Sequence, residues 1–287
     1  MEKEIAFIGS GAMAEAMISG LLRQNLARPE NMSASDPKKE RVQALHEKYG
    51  IQPFADNNRA VEHAEVVVLS VKPQRLTNVL GGLQGAIPPG AVVLSIVAGA
   101  TIEKISCGLG HAAVVRSMPN TPAQIGEGIT VWIAAPAVSQ AQKEIARTIL
   151  SAFGEEIDVD DENYLDMATA LSGTGPAYVF MFMEAMIDAG VHMGFSRRIS
   201  EQLVVQTLRG SVDYYQIINQ KASVHVAALK NQVTSPGGTT AEALYYLEKA
   251  GFRTAISRAI WAAYQRSLEL GREKPVHIPE TNNGNEK

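Results

Sequence analysis

One cysteine, Cys107, stands in 287 residues. An internal disulfide and a thiolate metal cluster are both excluded, so a reducing compartment fits the chain and the cytoplasm is the expected location. No stretch approaches about 20 uninterrupted apolar residues, so no span of a bilayer is expected. Met1-Glu2-Lys3-Glu4 runs directly into a short apolar strand, without the longer apolar core of a secretory signal. A large excess of one sign of charge is also lacking. The net charge is −4, which gives no global electrostatic reason to expect nucleic acid or an anionic membrane as partner. The histidines, among them His111, His192 and His225, show no ligand spacing, so no metal is expected. There is no internal repeat and no low-complexity segment. What is present is ordinary for a soluble globular protein with a full core: 46% hydrophobic and 20% charged residues. The length points to two domains.

The first half alternates short apolar runs with helical patterns. Ile5–Ile8 reads as a buried strand, and Met13, Met17 and Leu21 with Ala14, Ile18 and Leu22 follow at helical spacing. Met32–Ser35 predicts a second strand and Lys38–Tyr49 an amphipathic helix. Val66–Leu69 and Val92–Ile96 are β-branched runs without alternation, the mark of strands covered on both faces in a parallel sheet. Ala112–Arg116 and Ile129–Ile133 add two candidates. Strand and helix alternating in this way predict a Rossmann-type, doubly wound α/β domain over residues 1–160.

From Asn163 the pattern is helical throughout, over 163–171, 176–193, 200–219, 224–231, 239–250 and 252–271, with short Gly-, Pro- or Ser-containing breaks. An all-helical domain is expected over 161–273, followed by a polar, Pro-punctuated tail over 274–287. Tyr178-Val-Phe-Met-Phe-Met183 is apolar on every side. Such a helix is expected at the centre, and in a domain this small its burial falls to another subunit.

Gly9-Ser10-Gly11-Ala12-Met13-Ala14 follows a strand and opens a helix, the context that gives the dinucleotide fingerprint its weight. Gly9 permits the tight turn, and Gly11 lets a pyrophosphate approach amides at the positive end of the helix. Ala14 takes the third glycine position, where helix and strand pack closely. Asp36, at the end of the second strand, suits the ribose hydroxyls of NADH. Around it Ser33, Ser35, Lys38, Lys39 and Arg41 suit the 2′-phosphate of NADPH, or are the solvated face of the next helix. Both cofactors stay open. Val71-Lys72-Pro73 and Val97-Ala98-Gly99 end later strands and face the same crevice, and the small residues at 97–99 leave room for a nicotinamide ring. Lys72 reads as a phosphate or ribose contact, or as a catalytic acid.

Two Gly/Pro clusters open helices in the second half. Ser172–Tyr178 places Pro176 in a first helical turn. In Val233-Thr-Ser-Pro-Gly-Gly-Thr-Thr240, Gly237 and Gly238 let the backbone curl, while Thr239 and Thr240 offer hydroxyls and amides. The segment reads as an anion nest able to take a carboxylate without arginine, or as a plain helix cap with glycines.

Taken together, residues 5–20, Val71-Lys72-Pro73, Met118–Pro122, Ser172–Tyr178 and above all Leu229–Leu244 closely resemble pyrroline-5-carboxylate reductase, in register over about residues 4–272. The resemblance implies reduction of 1-pyrroline-5-carboxylate to L-proline, the last step of proline biosynthesis, with NADPH or NADH. It implies a homo-oligomer: a dimer through the helical domain, often a ring of dimers, with the imino-acid substrate at the subunit interface. It puts the cofactor on Gly9, Gly11, Ala12 and Met13, near Ser35 and Asn57, and along Val71, Lys72, Pro73 and Ala98, with Ser10 and Asp36 beside them. It puts the substrate carboxylate on the Gly237–Thr240 segment and the Thr240 hydroxyl nearest the ring nitrogen. An imine is already an electrophile when protonated, so no metal or strong base is required, and orientation carries much of the rate.

Two rivals are weaker. A hydroxyacid dehydrogenase on this plan carries a lysine on the helix after its second glycine cluster, and Pro176–Glu184 has none. A non-catalytic relative would show degraded glycines or a lost nest, and both are intact.

Overall fold

A computed structural model of the protein describes residues 2–272; the 274–287 tail lies outside the described residues. The chain divides into two compact units. One comprises residues up to Gly173 together with those from Ala263 on, and the other Thr174–Ala262.

The first unit runs β1 (Ile5–Ile8), α1 (Ala12–Arg23), β2 (Met32–Ser35), α2 (Lys39–Tyr49), β3 (Gln52–Phe54), α3 (Asn57–Val61), β4 (Val66–Leu69), α4 (Pro73–Leu83), β5 (Val92–Ser95), α5 (Ile102–Leu109), β6 (Val114–Met118), β7 (Gly128–Ala134), α6 (Gln140–Ser151), β8 (Gly154–Asp158) and α7 (Asn163–Ala168). The strands form one sheet of eight in the order β3-β2-β1-β4-β5-β6-β7-β8. After β3 the chain crosses over β1 to β4, so the direction of winding reverses beside β1. Successive residues of each central strand serve opposite faces. Ile5, Phe7, Val66, Val68, Val92 and Leu94 pack under α1 and α6, while Ala6, Ile8, Val67, Leu69 and Val93 pack under α4 and α5. Both faces are covered, which is why these strands are apolar without alternation.

The structure adds two strands that the sequence pattern does not announce. β3 is a short edge strand containing Pro53, a residue tolerated only at an edge or a bulge. β8 carries Glu155, Glu156 and Asp158, and acidic residues on a sheet edge discourage further pairing. β7 also departs from an all-parallel sheet by pairing antiparallel with β6. The link between them, with its 3₁₀ turn at Thr121–Ile125, is too short for a crossover.

The second unit contains α8 (Gly175–His192), α9 (Arg197–Lys221), α10 (Val226–Gln232), α11 (Thr239–Lys249) and the first half of α12 (Phe252–Arg272). A π-helical turn at Thr169–Gly173 precedes α8. Helix α8 packs on α9, where a Cβ on Gly190 would come within 2.6 Å of the Ser200 hydroxyl. Much else on these helices is uncovered in the single chain: Phe180 is 60% exposed, Met181 74% and Trp261 62%. The compact units divide at 173/174, a few turns beyond the start of the helical pattern read from the sequence. Helix α7 stays with the sheet because Asp166 on it binds Arg116 of β6.

Candidate active site

The sheet's register decides where the site lies. Ile8 pairs with Ser35 on one side and with Leu69 on the other, and Leu69 pairs with Ser95. The C-terminal ends of β2, β1, β4 and β5 therefore form one level edge. From it emerge the segments carrying Gly9–Met13, Asp36, Val71–Pro73 and Ala98. In an open α/β sheet ligands bind across such an edge, at the point where winding reverses.

Gly9 adopts φ +97. Its N–H donates to the Ser35 carbonyl at 2.8 Å, and its own carbonyl accepts the Ser70 hydroxyl at 2.7 Å. A Cβ on Gly9 would lie 2.8 Å from the Ser70 carbonyl oxygen, so no side chain fits. At Gly11 the opposite holds: a Cβ there would meet nothing within 4 Å, leaving open space above the backbone. Gly11 caps α1 without a side-chain hydrogen bond, and the first intrahelical bond runs from Glu15 N–H to the Gly11 carbonyl. The amides of Ala12, Met13 and Ala14 thus have no intrahelical acceptor, and they are the donors an anion requires. Ala14 is fully buried, as its packing role demands.

Asp36 is held by this loop. One carboxylate oxygen accepts the Ser10 N–H at 3.0 Å and the other the Lys38 N–H at 3.0 Å. Ser10 has a fully buried side chain, so it meets the site through its backbone. Ser35 donates its hydroxyl to Asn57 Oδ1, which joins the two residues. Among the cations near Asp36, Arg41 is engaged elsewhere. Its Nε donates to the Ser10 carbonyl at 2.6 Å, and its guanidinium pairs with Glu15 at 2.5 Å. Ser33 donates to the Ala60 carbonyl at 3.3 Å. Lys38 and Lys39 are exposed and make no ion pair among the described residues.

Sequence reasoning missed Glu15. It lies in the first turn of α1, near the amides without acceptors, where its negative charge would repel an approaching anion. Lys48 at 2.8 Å, then Arg41, then the Tyr49 hydroxyl at 3.1 Å hold its carboxyl down at about 2 against an ordinary 4.5, and the same pair raises Lys48. Glu15 stays ionised, and two cations balance it. The signal was available in the helical spacing that brings Arg41 and Lys48 to one face of α2.

Lys72 is exposed and caps α4, with Pro73 in the first turn, so its side chain is not a buried acid. Ala98 lies on the loop after β5, between buried Val97 and Gly99.

The remaining candidates belong to the second unit. Gly237 takes φ +67 and Gly238 caps α11 with no side-chain hydrogen bond. The first intrahelical bond runs from Glu242 N–H to the Gly238 carbonyl at 3.2 Å, so the amides of Thr239, Thr240 and Ala241 have no intrahelical acceptor. Thr101 and Ser139 cap α5 and α6 with their side chains, while α2, α4 and α8 share with α1 and α11 a start without one. Among the described residues no group of three or more His, Cys, Asp or Glu is placed to hold a metal, and no helix is long and apolar enough to cross a membrane.

A glycine turn at the winding reversal of a parallel-dominated sheet, an uncapped helix beneath it and an appended helical unit define an NAD(P)-dependent oxidoreductase. Residues 4–99 match the family described as NADP oxidoreductase, coenzyme F420-dependent, and residues 162–270 match pyrroline-5-carboxylate reductase dimerisation. The chain is 40% identical over 273 residues to the pyrroline-5-carboxylate reductase of Synechocystis, covering 95% of this chain and 100% of that protein. It is 40% identical to that of Pseudomonas aeruginosa, covering 94% and 97%. The crystal structure of Plasmodium falciparum pyrroline carboxylate reductase with NADP bound superposes with a TM-score of 0.85 at 33% identity, covering 94% of this chain and 98% of that one. The chain belongs to the pyrroline-5-carboxylate reductase family.

Proposed function

We propose that this chain reduces 1-pyrroline-5-carboxylate to L-proline with hydride from NADPH or NADH, and that two uncapped helix starts hold the charged ends of its reactants. That pair of helix starts carries the reading. Gly11, Ala12 and Met13 present backbone donors to the pyrophosphate, with Gly11 leaving the space it needs, while Gly9 shapes the turn and Ser10 ties it to Asp36 through its N–H. Ser35, Asp36 and Asn57 border the adenosine end, and Val71, Lys72, Pro73 and Ala98 line the rest of the cofactor's path. When bound, the reduced nicotinamide supplies the hydride. Gly237, Gly238, Thr239 and Thr240 take the substrate carboxylate on their amides, and the Thr240 hydroxyl orients the ring nitrogen. A neutral hydroxyl is too weak an acid to drive the step, so its contribution is geometric.

NADPH is the better fit of the two cofactors. Lys38 and Lys39 are exposed and available to a 2′-phosphate, and the similar Plasmodium falciparum structure holds NADP. The chain works as a homodimer through its helical unit, with a ring of dimers as the larger assembly, in the cytoplasm and without nucleic acid or membrane partners.

Purified protein assayed with pyrroline-5-carboxylate and each nicotinamide in turn tests the function. Oxidation of NADPH faster than NADH is expected, and no oxidation of either above background overturns the reading. Thr240→Ala is expected to lower kcat about tenfold, the worth of one well-placed neutral hydrogen bond, with cofactor affinity unchanged. Full turnover in that variant removes Thr240 from the mechanism.

A further inference from the structure

The loop that leaves β5 is fastened at three points. At its start, Val97 N–H donates to Ser95 Oγ at 3.2 Å, and the Ser95 carbonyl accepts the Ser117 hydroxyl at 3.0 Å. In its middle, Gly99 takes φ +70 against the end of α12, where a Cβ would lie 3.1 Å from Leu270 Cβ and 3.2 Å from Gly271 N. At its end, Ile102 N–H donates to Glu162 Oε1 at 2.8 Å.

The last two points are tied together by one side chain. Arg116 stands in register with Ser95, at the end of the neighbouring strand, and is 3% exposed. Its Nη1 donates to the same Glu162 oxygen at 2.9 Å, and its Nη2 reaches Asp166 Oδ1 at 3.3 Å. That Asp166 oxygen also accepts the Ser267 hydroxyl of α12 at 2.6 Å. A continuous chain therefore runs from the Ile102 amide through Glu162, Arg116 and Asp166 to α12. The reduction chemistry above uses none of these side chains. A buried ion pair contributes little net stability against an apolar substitute of the same shape, but it fixes geometry. Here it fixes the place of a loop relative to β6, α7 and the end of α12.

We propose that Arg116 is a positioning residue for hydride transfer. By orienting Glu162 beneath the Ile102 amide and Asp166 toward Ser267, it sets residues 97–101 and with them Ala98. The proposal rests on the assignment of Ala98 to the nicotinamide end of the cofactor path. Misplacing a reacting ring by a fraction of an ångström slows the chemical step while leaving binding through the distant adenosine and pyrophosphate contacts intact.

Arg116→Lys in the full-length protein keeps the charge but loses the fork that spans two carboxylates. The expected result is a kcat lower by about tenfold. The primary isotope effect on kcat, measured with cofactor deuterated at the transferred position, is expected to rise. The NADPH dissociation constant is expected to move less than about threefold, because the phosphate contacts are untouched. A lower melting temperature with unchanged kcat and isotope effect overturns the proposal and leaves Arg116 a purely structural residue. Where Arg116→Lys does not fold, Ser267→Ala removes one hydroxyl from the same chain, and a raised isotope effect there supports the proposal while a wild-type value overturns it. The wild-type protein separates the two levels of inference. If it fails to reduce pyrroline-5-carboxylate, the functional reading falls, and if it turns over while both variants match it, only the positioning role falls.

Discussion

The two units of this chain solve burial in different ways. The sheet unit closes on itself, with two apolar layers completed by its own helices and large side chains such as Phe7, Met17 and Trp132 fully buried. The helical unit buries little beyond Gly190, Ser200 and Val204 on its two longest complete helices, and leaves Phe180, Met181 and Trp261 in solvent. Apolar surface on that scale marks an interaction face. The family match over residues 162–270, described as dimerisation, identifies its use. One unit thus completes its own core, and the other leaves apolar surface of the kind an oligomer covers.

The largest expected effect breaks that sharing. Met181→Asp puts a carboxylate on the face that a second chain covers, and an unpaired buried charge costs upward of about 3 kcal/mol, or more than about a hundredfold in association. Sedimentation is expected to show monomer with little reductase activity. An active dimer would show that the exposed face of α8 is not the interface.

A smaller effect is confined to the sheet unit. Lys38→Ala with Lys39→Ala is expected to weaken NADPH by up to about fivefold, the scale of exposed charge pairs, and to leave NADH unchanged. Equal loss for both cofactors would place the lysines away from the 2′-phosphate. Raising the salt concentration is expected to reproduce the difference in the unaltered protein.

The smallest effect is a titration. The folded-state pKa of Glu15 is depressed to about 2 from 4.5. Its contribution is fully present above 4.5 and is lost as pH falls toward 2. Glu15→Gln is expected to flatten the dependence of unfolding free energy on pH in that window alone. An unchanged slope would mean that Lys48 and Arg41 hold Glu15 as closely in the unfolded chain as in the folded one.

The sheet unit was readable wherever local chemistry and tertiary role coincide. Gly9 and Gly11 sit between a strand and a helix because each step of a nucleotide turn demands it, and the structure keeps both reasons distinct: no room at Gly9, open space at Gly11. The uncapped start of α11 was equally visible in Gly237-Gly238-Thr239-Thr240. Edge strands were not. β3 and β8 lack the apolar signature because edges are half exposed, and their pairing depends on partners distant in sequence. The Arg116 chain was hidden for the same reason: its members lie at positions 102, 116, 162, 166 and 267, with no spacing to connect them. The return of α12 to the sheet unit is a long-range fact of this kind.

The level edge formed by Ser35, Ile8, Leu69 and Ser95 imposes a tolerance on change in this protein. A strand advances about 3.3 Å per residue and reverses its faces at every step. Adding or deleting one residue within β1, β2, β4 or β5 would therefore raise one loop above its neighbours and move its strand's side chains into the opposite apolar layer. Exposed side chains on the loop after β2 can be retuned, while the strands act as a common baseline. Variation in cofactor choice has to be written in the loops because the edge beneath them admits no half steps.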